Sequence, residues 1–136
     1  QLADDALSLL NKNLPKGIRF EEQSSFEMVT ATRKELLRIE GTDFLIELFH
    51  LSDDAFDQER FKRRVKKNIA DDLQVWFPTA EDVIIQKWRW ARNKDIEDVV
   101  AILKVQTVLD FDHINHWCGI HESFQLLLDA RAEAIG

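Results

Sequence analysis

Lys87, Arg92, Asp95 and Asp98 fall within twelve residues, at intervals that helical turns make into neighbours. Were the two helical turns here nearly continuous, Lys87, Ala91, Asp95 and Asp98 would share one side. A cation beside two carboxylates can order a phosphate site, or it can be an ordinary ladder of surface ion pairs. Periodicity does not choose between them, and exposed pairs of this kind are common and weak. Glu47 is the other suspicious residue. It interrupts the otherwise apolar run FLIELFHL (Phe44–Leu51), which reads as a central strand covered on both faces. A carboxylate there needs a cation, a metal ion or an edge facing a cleft.

Other candidates are weaker. His113 and His116 are three apart, close enough to share a metal, but Asp112, Cys118 and His121 add no familiar ligand spacing. Cys118 lacks a visible base or oxyanion site, so it reads as a small buried apolar residue. Trp76, Trp88, Trp90 and Trp117 suit a core. Trp88 and Trp90, two apart, cannot both face inward on one helix. No glycine-rich phosphate loop and no nucleophile elbow occur.

The elements that must position these residues can be read in part. Leu2–Leu14 is an amphipathic helix with Leu2, Ala6, Leu9 and Leu10 inward, ended by Pro15. Ile18–Glu21 alternates as a strand, and Ser24–Arg33 leans to a strand. Glu35–Glu40, Gly41-Thr42 and Asp43–Leu51 read as a hairpin. Ser52-Asp53-Asp54 caps a helical turn over Phe56–Phe61, and Val65–Ile69 with Leu73–Phe77 makes a second hairpin. Thr79 fits an N-cap, with Glu81 and Asp82 in the first turn. Val83, Ile84, Trp88 and Ala91 form that helix's apolar face. Asp95 caps or opens the next helix, which carries Ile96, Val99, Val100 and Leu103. Asp112 reads as an N-cap for a short helix with Ile114, Trp117 and Cys118, stopped by Gly119. Glu122–Ile135 closes the chain with Phe124, Leu127, Leu128 and Ala132 inward.

Composition narrows the function classes. The 136 residues suffice for one domain with a real core. Net charge of −7 argues against a nucleic-acid partner, although Arg60–Lys67 (RFKRRVKK) holds six cations in eight residues. That run reads first as a solvated edge; RNA binding through it ranks last among the functional readings. No apolar run reaches membrane-spanning length, so no membrane partner is expected. A single cysteine and the lack of a basic leader point to a cytoplasmic setting.

The string PTAEDVIIQKWRWARNKDIEDVVAILKVQTVLDFDHINHW (Pro78–Trp117) resembles the C-terminal half of bacterial nucleotidyltransferase-fold proteins, the minimal group related to the AbiEii toxins of abortive-infection systems. Pro78, Glu81, Asp82, Lys87, Arg92, Lys94, Asp95, Asp98, Gln106, Leu109, Asp110 and Trp117 match the family pattern in order, and His113 occupies its usual tyrosine position. Upstream, FLIELFHLSDDAFDQERFKRR (Phe44–Arg64) resembles the strand bearing that family's third metal-binding carboxylate, placing Glu47 there. The family's Gly-Ser turn and Asp-x-Asp strand find no counterpart in this chain.

The resemblance implies an α+β domain over residues 1–136, a mixed sheet packed with helices, its first strand missing and its C-terminal half helical. It implies Glu47 as a ligand for Mg²⁺, Lys87 and Arg92 as phosphate contacts of an NTP, and Asp95 and Asp98 as their supports. The expected function is a catalytically incomplete nucleotidyltransferase-like protein that binds a nucleotide or a protein partner. Two alternatives stand beside it: a fragment of an active, metal-dependent, toxin-type enzyme, and a homodimeric interaction protein that pairs through an exposed sheet edge.

Overall fold

Alternation of side chains along Thr32–Ile39, with Glu35 and Leu37 turned inward, makes this stretch the central strand of a sheet. The computed structural model describes residues 4–21, 25–27 and 32–135. The chain divides into two units, residues 1–58 and 59–136.

In the first unit, α1 (Asp4–Lys12) precedes β1 (Ile18–Phe20), β2 (Ser25–Glu27), β3 (Thr32–Ile39) and β4 (Leu45–Phe49). β1 and β2 pair with successive lengths of one edge of β3, and β4 with the other. The β3–β4 turn depends on Gly41, whose φ of 76° falls where a side chain is disfavoured. Thr42 closes that turn by donating its amide and its hydroxyl to the Ile39 carbonyl, at 3.2 and 3.0 Å.

Two expectations change in this unit. β4 is an edge strand among the described residues, not a strand covered on both faces, and Phe44 beside it is 76% exposed. In α1, Leu7 and Asn11 face the sheet, lining an open groove of about 380 Å³ with Phe20 and Glu35. Leu9 and Leu10 are exposed, and the half-buried positions of α1 are Ala6 and Leu7. Leu2 and residues 28–31 lie outside the described residues, as does most of the Ser24–Arg33 strand beyond β2 and the start of β3.

α2 (Ala55–Arg63) starts in the first unit, where Asp54 accepts the Asp57 amide at 3.1 Å, and runs into the second. The second unit continues with β5 (Val65–Ala70), β6 (Leu73–Phe77), α3 (Ala80–Trp90), α4 (Asn93–Val105), α5 (Phe111–Ile120) and α6 (Phe124–Ile135). β5 and β6 form the expected hairpin, bulged between Asn68 and Ala70 and turned through Asp71-Asp72. The protein is α+β. The ladders among the described residues are antiparallel throughout, where a mixed sheet was expected.

Helix α3 packs on α4 and α5, and α4 packs on α6. The buried centre comprises Ile84, Ile85, Trp88, Val99, Ile114 and Leu127. Trp88 faces inward, whereas Trp90 lies beside Arg92, with the guanidinium 4.8 Å from its ring centroid. The helix stops at Trp90, so Ala91 adopts φ 49° as a left-handed cap and is exposed instead of joining the apolar face. The N-cap of α5 is Asp110, not Asp112: its carboxylate accepts the His113 amide at 3.0 Å. Gly119 does not stop α5, which ends one residue later with His121 as its C-cap. On α6 the buried positions are Leu127 and Ala130; Phe124 and Leu128 face solvent.

Candidate functional site

Two polar clusters form in the second unit, both on α3. The first is at its C-terminal end. Because the chain turns at Ala91, α3 and α4 do not form one continuous helix, and the shared-side geometry expected from spacing does not arise. The turn nevertheless brings Lys87, Arg92, Asp95 and Asp98 together. Arg92 grips Asp95 at two points, Nε to Oδ2 at 2.5 Å and Nη2 to Oδ1 at 3.1 Å. Lys87 Nζ lies 2.5 Å from Asp98 Oδ2 and 3.4 Å from Asp95 Oδ1.

The four residues are unequal. The Asp95 side chain is 0% exposed, whereas that of Asp98 is 55% exposed. Hydrogen bonds from Arg92 hold the Asp95 carboxyl below the ordinary aspartate range; burial opposes them, and the charges of Arg92 and Lys87 add to the lowering. Asp95 is therefore a fixed anion that fixes two cations. Arg92 is also the N-cap of α4 and makes no side-chain capping bond there. The positive end of a 13-residue helix thus sits at the same corner as both cations.

The second cluster is at the other end of α3. Thr79 caps the helix as expected, accepting the Asp82 amide at 3.2 Å. Asp82 was readable as a first-turn acid; its burial to 0% exposure was not. His113 Nε2 lies 2.8 Å from Asp82 Oδ1, and its Nδ1 lies 3.5 Å from Glu59 Oε1. Arg63 Nε approaches Asp82 Oδ2 at 3.5 Å. Glu81 accepts the Asp110 amide at 3.1 Å, which ties the starts of α3 and α5 together. Burial resists ionisation of Glu81. The Asp110 amide, its own amide, the Thr79 hydroxyl and Arg63 outweigh that and lower its pKa. The Asp82–His113 pair spans 31 residues, and no spacing rule reveals such a contact.

Glu47 sits on the solvent face of β4, where Lys34 on β3 is its diagonal cross-strand neighbour and ion-pair partner. The buried setting expected for it is corrected: strand alternation turns Leu45, Glu47 and Phe49 outward together. Among the described residues, no three His, Cys, Asp or Glu side chains converge on a point that could hold a metal ion. Cys118 is buried, and burial raises its thiol pKa against a hydrogen bond with Ser123, which keeps the thiolate scarce.

No curated protein and no solved structure matches the chain. A family model described as "Nucleotidyltransferase of unknown function (DUF6036)" matches residues 51–133, more than half of the chain. That span takes in α2 through α5, and so every residue of both clusters, but not Glu47. The chain belongs to this nucleotidyltransferase family.

Proposed function

We propose that the chain is a nucleotidyltransferase-like protein that holds a nucleoside triphosphate by its phosphates at the α3–α4 turn, without completing a catalytic metal centre of its own. The observation that carries this reading is the fixing of Lys87 and Arg92 by buried Asp95 at a helix N-terminus without a side-chain cap. As it stands the quartet is formally neutral. Exposed Asp98 is the carboxylate that can leave: a phosphate oxygen takes its place on Lys87, while Asp95 stays beneath. Two cations and one buried anion then face the phosphate, and the helix end adds a partial positive charge.

The Mg²⁺ that the sequence resemblance implies finds no set of three converging side chains among the described residues. Glu47 is engaged by Lys34. Within a longer, toxin-type enzyme, Glu47 would have to release Lys34 to join an Asp-x-Asp pair, and Lys87 and Arg92 would keep their phosphate role.

Calorimetric titration with ATP tests the reading. Lys87→Ala is expected to weaken binding on the order of 30-fold, as loss of one partner in a desolvated, charge-assisted contact does. Asp98→Asn is expected to tighten it about two- to fivefold by freeing Lys87 from an exposed pair. No binding by the wild type, or equal affinity in Lys87→Ala, would overturn the assignment.

A second reading, a homodimer through a sheet edge, is favoured by β4. Its outer edge is unpaired among the described residues, and Leu45 and Phe49 on it are exposed. The Phe44 carbonyl and His50 amide bond to β3, so alternation turns the Glu47 N–H toward the open edge. Glu47→Pro should therefore block strand addition while sparing the β3–β4 ladder. Sedimentation is expected to show a dimer that this variant dissociates; a wild-type monomer removes the reading.

A further inference from the structure

The basic run Arg60–Lys67 does not simply line an edge: the fold divides it between the end of α2 and the start of β5 and sets an aromatic side chain among its cations. Lys66 and Trp76 are directly opposite across the β5–β6 ladder, and Asn68 faces Gln74 on the next rung of the same face. The Arg64 guanidinium lies 3.8 Å from the Phe61 ring centroid and 4.8 Å from that of Trp76; Lys66 Nζ lies 5.7 Å from the Trp76 ring. Trp76 nevertheless keeps 52% of its surface in solvent.

Two features separate this face from an ordinary charged edge. Some cations, such as Lys34, Arg38, Lys87 and Arg92, are held by carboxylates. Arg64 and Lys66 on this face, and Lys62 just before it on α2, have no carboxylate partner among the described residues, so their charge is uncompensated in a chain of net charge −7; Lys67, next along β5, points to the opposite face. The indole beside them is a large flat apolar surface left open, at the cost of its burial.

We infer that this hairpin face binds single-stranded nucleic acid. A base stacks on the open part of Trp76, Lys62, Arg64 and Lys66 meet the phosphates on either side, and the Asn68 and Gln74 amides reach base edges. Stacking supplies sequence-tolerant affinity, and the cations supply a salt-dependent share. An acidic peptide would use the cations but has no need of the open ring. The net negative charge of the whole chain, which argued against such a partner, acts at longer range than these contacts and is screened within about 10 Å at ordinary ionic strength.

The test is fluorescence anisotropy of the full chain with labelled 12-nucleotide oligo(U) and oligo(dT), each at two salt concentrations. Binding is expected to fall with salt, with a log–log slope of about −2 to −3 for three or four phosphate contacts. Trp76→Ala should weaken it on the order of tenfold or more, Trp76→Phe should retain most of it, and Lys62→Glu with Lys66→Glu should weaken it and flatten the slope. Tighter binding of one oligonucleotide identifies RNA or DNA as the ligand. Lys87→Ala should leave these affinities unchanged, so this proposal and the triphosphate site stand or fall separately. Absence of binding at low salt overturns the inference. So does a polyglutamate peptide that binds as tightly as the oligonucleotides while Trp76→Ala, shown folded by circular dichroism, changes neither.

Discussion

His113→Ala is expected to destabilise the fold by about 3 kcal/mol, read from the midpoint of urea unfolding. The imidazole is the near partner of a carboxylate with no solvent exposure: His113 Nε2 lies 2.8 Å from Asp82, and Arg63 only reaches 3.5 Å. A buried hydrogen-bonded polar pair contributes little net stability compared with an apolar pair, but removing one member leaves the other without a partner in a medium that cannot hydrate it. The cost of the variant is thus largely the penalty on Asp82. It follows that Asp82→Asn combined with His113→Ala should lose less than the sum of the two single variants, because a neutral amide costs less than a carboxylate to leave without a partner. His113→Tyr should recover part of the loss, since a phenol can donate one hydrogen bond to Asp82. Additive losses in the double variant would show that the two side chains act independently.

Arg92→Ala is expected to cost about 1–3 kcal/mol at neutral pH, the lower end reflecting the half-exposed guanidinium and its screening by solvent. Asp95 loses both hydrogen bonds from Arg92 and keeps Lys87 at 3.4 Å. The pH dependence has a definite sign. Asp95 has a folded-state pKa below its unfolded one, so its contribution is fully present above the ordinary aspartate value. It is lost as pH falls through the lowered folded value. The gap in stability between wild type and Arg92→Ala should therefore be widest near neutrality and shrink in acid. Arg92→Lys should not restore it, because an ammonium cannot reproduce the two-point contact. A gap that widens on acidification would mean that Arg92 acts through something other than the Asp95 carboxylate.

Much of the architecture was legible because it is local. The Thr79 cap, the β5–β6 hairpin, the break between α3 and α4 and the burial of Trp88, Val99 and Ile114 follow from short-range signals. The readings that failed share a cause. An apolar run such as Phe44–Leu51 marks a strand but does not say how many of its faces will be covered, so the run points Glu47 to a core whereas it lies on an edge strand. Likewise, the amphipathicity of α1 and α6 gave their helices without choosing which apolar residues turn inward, and Leu9, Phe124 and Leu128 face water.

The candidate site divides in the same way. Residue types and spacing singled out Lys87, Arg92, Asp95 and Asp98, but the shared side of one continuous helix did not form; the turn at Ala91 and Arg92 between α3 and α4 brought them together. Composition likewise determined a concentrated cation run at Arg60–Lys67. Tertiary structure alone decided which of these charges are buried. Asp95 and Asp82 lie at 0% exposure because α4 and α5 close over α3, and burial turns an ordinary first-turn carboxylate into an anion that must hold its partners. Packing also joined Asp82 to His113 and set Trp76 among the cations, contacts 31 and about ten residues apart along the chain. The physical reason is that desolvation depends on everything packed around a group, whereas sequence spacing reports only the few residues its own backbone brings near.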